Sequence, residues 1–460
     1  MPTSGHAPNG FRRLLVTTLV LLLLLVPLDV ILCLVFEPYG SQSELVWTDY
    51  RKTKEVDTIF VGSSMTAGGL DPQAFNAETG AHAFNMSCPG QPLHESLMAI
   101  RTVARDHDLK RVVMLIGYDT MMTEPMFAHS VSYVQAKCVN EPLAQAVADM
   151  AGLYSYDYYF KRAYSIAGFF PWAYAHMDLS LSNVKENIYN RLHCDVHEAS
   201  KRFTQKNDPH WEYHDLGFGA YNNTVSAKTV HTDISSAKST AFSDENTKAL
   251  KLLCDYCQEQ GIDLYVLGAP YMPHAIAEFG DDYASGMLAV QQIVRDAGGQ
   301  YFDLNMLSRG ILDPRISYFC DATHLNYTGA TAVSKAVAHL IKRVEAGEDV
   351  GGDFYDYSEA GQSAWRDSID FVDAVDYEWE VRDGAVQLEA HAVTGKGTPV
   401  EYRLDIKDPA TNKWATAQNW TSCPLFSLAN DGQRKDVRIY AHSTNGRQDK
   451  DRYVEGSIAV

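Results

Sequence analysis

Thr58-Ile59-Phe60-Val61-Gly62-Ser63-Ser64-Met65-Thr66 is the stretch on which the reading of this chain turns. Four residues suited to a buried strand run into a glycine, which lets the backbone turn sharply, and two serines follow at once. A serine in that place stands at the carboxyl edge of a sheet, where α/β folds build their sites. The flanking pattern agrees. A second run ends at Phe84-Asn85 and passes into a loop through Pro89-Gly90, and residues 93–103 repeat apolar side chains at helical spacing. Residues 112–116 are a continuous apolar strand closing at Gly117. Further on, Ser243 opens a helix whose Leu250, Leu253 and Cys257 share a face, and Gly261 stops it. Strands are expected at 262–267 and 301–304, and a closing helix at 328–344. Buried runs alternating with amphipathic helices predict a parallel sheet covered on both faces.

Around this unit the chain divides into further parts. Residues 14–36 are one apolar run, long enough to cross a bilayer as a helix. No small-x-small cleavage site follows Phe36, so a retained transmembrane anchor is expected, with residues 1–13 as a cytoplasmic tail. Arg12 and Arg13 argue for an inside N-terminus, while Arg51, Lys52 and Lys54 pull the other way. The α/β domain is expected over 37–346. Within it the pattern loosens at about 121–242, where aromatic residues crowd 154–174 and a polar helix is expected at 182–193. A cap-like insertion and plain helical packing are equally compatible with that stretch. Gly351-Gly352-Asp353 opens a polar linker, 347–370. From 371 to 460 the period changes to two: Val400, Tyr402, Leu404 and Ile406 alternate with Glu401, Arg403 and Asp405, and Asp383-Gly384 and Asp431-Gly432 supply turns. This predicts an immunoglobulin-like β-sandwich.

Bulk composition excludes more than it identifies. With 460 residues, 46% of them apolar, the chain is globular and larger than one ordinary domain. A formal charge of −19 without a Lys/Arg cluster argues against nucleic acid as partner. Cys254 and Cys257 form a C-x-x-C inside an amphipathic helix with no downstream pair, which reads as packing. His193 and His197 stand one helical turn apart but lack the zincin glutamate between them. No cofactor and no metal is called for.

The chemistry lies in two short segments. Asp321-Ala322-Thr323-His324 precedes the last helix of the α/β unit. A serine hydroxyl becomes a nucleophile when a histidine takes its proton, and a carboxylate three residues earlier can hold that imidazole in the right tautomer. Either segment alone is weak evidence. A serine after the first strand together with Asp-x-x-His before the last helix is much stronger.

On those residues the span from Asp57 to Val344 resembles the SGNH hydrolase superfamily, whose flavodoxin-like parallel sheet carries the nucleophile in its first block and Asp-x-x-His in its last. The resemblance implies Ser64, not Ser63, as nucleophile, with Asp321 and His324 as its partners. Asn85-Met86-Ser87-Cys88-Pro89-Gly90-Gln91 looks like the second block, which implies an oxyanion hole made by the Gly90 and Ser64 amides. The third block departs: Gly117-Tyr118-Asp119 stands where the family carries an asparagine donor. That departure, with the anchor, is similar to the membrane-anchored acyl-transfer branch, the DltD-like proteins and polysaccharide O-acetyltransferases. It implies a single-pass protein of the cell membrane with its catalytic domain outside, a membrane-bound O-acyltransferase as partner and a cell-envelope glycan as acceptor. The alternatives are a cell-surface carbohydrate esterase and a non-catalytic envelope-assembly or glycan-binding protein.

Overall fold

The structure is a computed structural model that describes residues 9–36, 39–118, 120–122, 125, 127–153, 180–227, 230, 242–279, 281–395, 397–447 and 452–458. The chain forms two compact units: Met1–Arg51 with Met126–Asp208, and Lys52–Pro125 with Pro209–Val460. This division cuts across the expected insertion at 121–242.

In the second unit seven strands precede residue 304: β1 (Thr58–Phe60), β2 (Ala83–Asn85), β3 (Arg111–Ile116), β4 (Trp211–Tyr213), β5 (Gly219–Tyr221), β6 (Asp263–Gly268) and β7 (Gln300–Asp303). Strands β4 and β5 pair only with each other, as a hairpin. The other five form a parallel sheet in the order β2-β1-β3-β6-β7. With the hairpin set aside this is the 2-1-3-4-5 order of flavodoxin-like sheets, whose direction of progression reverses between β1 and β3. Val112 to Ile116 are all buried, as a strand covered on both faces requires. The flanking helices obey their local signals. Ser243 caps the helix Asp244–Gln260 through the Asn246 amide, and Gly261 ends it in the left-handed region. Asp71 accepts the Gln73 and Ala74 amides at the head of Pro72–Thr79.

Seven antiparallel strands follow: β8 (Val372–Arg382), β9 (Ala385–Thr394), β10 (Val400–Lys407), β11 (Trp414–Thr421), β12 (Leu425–Ala429), β13 (Lys435–Ser443) and β14 (Tyr453–Ile458). They make two sheets, β12-β9-β8 and β11-β10-β13-β14. One apolar core lies between them, with Val386, Leu388 and Phe426 from one sheet and Leu404, Val437 and Ile439 from the other. The turn Asp383-Gly384 has positive φ at both residues, the geometry of a tight hairpin. The stretch 347–370, expected as a linker, holds a short turn, Gly351–Asp353, and a helix, Glu359–Ser368, whose Trp365 is buried.

The first unit is helical in its described residues: Asn9–Phe36, Gln42–Lys52, Phe127–Val139, Leu143–Leu153, Leu181–His193 and Val196–Asn207. Lys137 is fully buried there, held by Glu141 and Asp149 under the Trp47 ring. The apolar run 14–36 lies in the helix Asn9–Phe36. Among the described residues no helix is long and apolar enough to cross a membrane; the side chains at 22, 26, 29, 30 and 33 lie outside them. So do the aromatic residues of 154–174.

Candidate active site

Strand β1 ends at Phe60, and Gly62 follows with φ +144. A Cβ there would lie 2.3 Å from the Thr66 hydroxyl, so the turn excludes any side chain. Thr66 in turn bonds the Leu115 amide and carbonyl, both at 3.2 Å, which fixes the turn to β3. Ser64 then opens a single helical turn, Ser64–Ala67, at the carboxyl ends of β1 and β3, where the strand order reverses.

From the other end of the α/β unit comes the loop 320–325. The Cys320 amide donates to the His324 carbonyl at 2.9 Å, closing the loop on itself. Inside it, Asp321 Oδ1 accepts the Thr323 and His324 amides at 2.8 and 2.7 Å, and Oδ2 meets His324 Nδ1 at 2.8 Å. The opposite ring nitrogen, His324 Nε2, lies 2.7 Å from Ser64 Oγ. Ser64, His324 and Asp321 are thus in hydrogen-bonded series, although 260 residues separate the first two. Desolvation opposes ionisation of Asp321, but the bonds from the His324 ring and the two amides outweigh it and hold its carboxyl below the usual aspartate range. About half of the Asp321 side chain and a third of that of His324 reach solvent.

The second block is built by its own side chains. Gln91 Oε1 accepts the Cys88 amide at 2.8 Å while the Gln91 amide donates back to the Cys88 carbonyl at 3.1 Å. Gly90, between them, has φ +67. Among the described residues neither the Gly90 nor the Ser64 amide has a protein acceptor, as donors reserved for an anion require. In the third block the Tyr118 ring is buried against Phe279 and Tyr283, and its amide donates to the Tyr271 hydroxyl. Asp119 lies outside the described residues.

Three asparagines with structural roles here were not assigned from sequence. Asn85 is fully buried; its Nδ2 donates to the carbonyls of Thr66 at 3.0 Å and Leu70 at 2.9 Å, and its Oδ1 accepts the Ser87 amide. It therefore staples the Ser64 turn to the second block. Asn326 caps the helix Tyr327–Glu345 through the Gly329 amide and donates to the Ser317 carbonyl. An asparagine directly before a periodic run is a cap signal that could have been read. Asn223 donates to the Cys320 carbonyl from the segment after β5, and no sequence signal points to that contact.

The remaining candidates do not join the site. His197 bonds Asp49, and the ring of His193 lies against Tyr189. Burial pushes the Cys254 and Cys257 thiols up to about 12, which leaves them unreactive. The seven cysteines of the described residues are all free. Among the described residues no three His, Cys, Asp or Glu side chains gather as metal ligands.

Fold and site together define an α/β protein with a Ser-His-Asp series at the carboxyl edge of its sheet. No family model and no curated protein matches the chain. Among solved structures it is similar to a candidate acylhydrolase from Bacteroides fragilis, at 10% identity over 65% of this chain and 94% of that one, with a TM-score of 0.29. It is also similar to a candidate platelet activating factor from Streptococcus pneumonia, at 12% identity over 65% of this chain and 92% of that one, with a TM-score of 0.27. At those scores neither likeness bears on chemistry, which rests on the side chains themselves.

Proposed function

We propose that this protein transfers an O-acyl group, most simply acetyl, to a cell-envelope polysaccharide through an acyl-Ser64 intermediate. The observation that carries the reading is the series Ser64 Oγ to His324 Nε2 to Asp321, at 2.7 and 2.8 Å. His324 takes the Ser64 proton as the hydroxyl attacks the acyl carbonyl, and Asp321 holds the ring and balances its charge. The Gly90 and Ser64 amides receive the oxyanion; such donors are typically worth about 3–4 kcal/mol each. On collapse His324 returns the proton to the leaving group, and a sugar hydroxyl reverses the sequence. In this reading 14–36 is a membrane anchor, the catalytic domain is extracytoplasmic, a membrane-bound O-acyltransferase supplies the acyl group, and the C-terminal sandwich is immunoglobulin-like. The departure at Gly117-Tyr118-Asp119 supports transfer only through its likeness to the membrane-anchored acyl-transfer branch.

A fluorophosphonate probe should label the full-length protein. Ser64→Ala should abolish labelling and Ser63→Ala should leave it, while His324→Ala should slow it about 10⁴-fold with the fold intact. Labelling that survives Ser64→Ala would overturn the assignment.

The solvent-open Asp321 and His324 side chains support a second reading, hydrolysis of a surface ester by water. p-Nitrophenyl acetate separates the two. A transferase should show a burst, slow turnover and an O-acylated product when an acceptor glycan is added. Fast turnover that no glycan diverts would leave the esterase.

A further inference from the structure

The helix Leu181–His193 is built inside out. Leu181, Ile188 and Leu192 lie within about 40° of one another around its axis, and all three face solvent, at 78, 41 and 71% exposure. The residues it buries are asparagines: Asn187 and Asn190 are 4 and 3% exposed. Burial in water selects the opposite arrangement.

The buried polar face has a definite task. Asn187 Nδ2 donates to the carbonyls of Val35 and Phe36 at 3.2 and 3.3 Å, and Arg191 Nε to that of Leu34 at 2.7 Å. These are the last carbonyls of the long apolar helix Asn9–Phe36, which its own backbone cannot satisfy. Arg191 is itself fixed by Glu44 and lies over the Tyr39 ring. The inverted helix is therefore tied to the very end of a helix whose own leucines, Leu14, Leu23 and Leu24 among them, are also exposed.

We propose that the helix Leu181–His193 lies in the plane of the membrane at headgroup level, with Leu181, Ile188 and Leu192 turned into the lipid. The proposal rests on the reading of 14–36 as a membrane anchor. Under that reading Phe36 sits where the hydrocarbon ends, and an element bonded to its carbonyls sits at the same depth. The two exposed apolar surfaces then meet one medium. The side chains beside the stripe suit the boundary: Tyr189 is half-exposed, and Lys185 is exposed and can extend its ammonium to the phosphates. Backbone carbonyls entering that layer need protein donors, which is what Asn187 and Arg191 provide.

The test is photocrosslinking of the full-length protein in phosphatidylcholine vesicles, with a benzophenone side chain in place of Leu24, Ile188, Leu192 or Glu198. Glu198 is the exposed control on the next helix. Lipid adducts from positions 24, 188 and 192 but not 198 are expected. Adducts from 24 alone would overturn the in-plane helix and leave the anchor standing. No adducts at 24 would overturn the anchor and this proposal with it. Protein adducts at 188 and 192 would show that a partner chain, not lipid, covers the stripe.

Discussion

At Asp321 one carboxylate oxygen faces the His324 ring while the other takes two backbone amides, so both are committed before any substrate arrives. Its pKa is held below the 3.8 of a free aspartate. A group whose folded value is lowered stabilises the fold fully above its unfolded value and loses that contribution as pH falls through the folded one. Acid loss of this contribution should therefore lie below pH 3.8, and carboxyl NMR should place the Asp321 midpoint there. In His324→Ala the midpoint should rise; an unchanged midpoint would mean the imidazole does not set it. Asp321→Asn, which forfeits the tautomer control, should slow fluorophosphonate labelling by roughly 10⁴-fold without unfolding the protein.

Among the elements, the Ser64 turn and the second block depend on one buried side chain. Asn85→Ala would take the Asn85 partner from the buried Leu70 carbonyl and Ser87 amide, while the Thr66 carbonyl keeps the Gly69 and Leu70 amides. The expected loss is about 1–3 kcal/mol, read as a lower melting temperature, with slower labelling because the turn is no longer tied down. Asn85→Asp, which keeps the acceptor, should restore the Ser87 bond but not the turn. The same elements show how far the sequence could be read. The strands at 58–61, 112–116 and 262–267 were legible because a strand buried on both faces must be continuously apolar, and β10 because a half-buried strand must alternate. The meeting of Ser64 with His324 and Asp321 could be anticipated because a serine after the first strand and an Asp-x-x-His before the last helix of a parallel sheet lie at one edge. The hairpin β4-β5 was not: three-residue strands carry no period, and its place is set by the Leu216 carbonyl meeting the Asn85 amide. Asn85 itself was hidden for a similar reason, since its partners are carbonyls that only the tertiary fold assembles.

Across the second unit, the sandwich and the α/β part are joined by buried polar bonds. His274, at the head of the helix Pro273–Phe279, donates its amide to Asp373 of β8 at 2.9 Å and meets the same carboxylate with its ring. Tyr357 donates to the buried Asp303 at the end of β7, and Trp365 to the Asn305 carbonyl. A chain ending at residue 346 would lose these bonds, each worth about 0.5–1.5 kcal/mol, and would uncover the apolar surface packed around them. Such a chain should melt far lower than the full protein or aggregate, and one ending at residue 370 should recover part of the difference. Equal melting temperatures would show that the α/β part stands alone. Asp373→Ala should lower stability without changing fluorophosphonate labelling per folded molecule.

The 260 residues between Ser64 and His324 also set a timetable. At about 5–20 residues per second a ribosome needs roughly 13–50 s to pass from one to the other. Through that interval Ser64 has no base, and β3 waits for β6 to close the sheet. On the proposed function the nascent chain is thus chemically silent while its first half is exposed, and Ser64 meets its base only when the last helix of the α/β unit is about to be made.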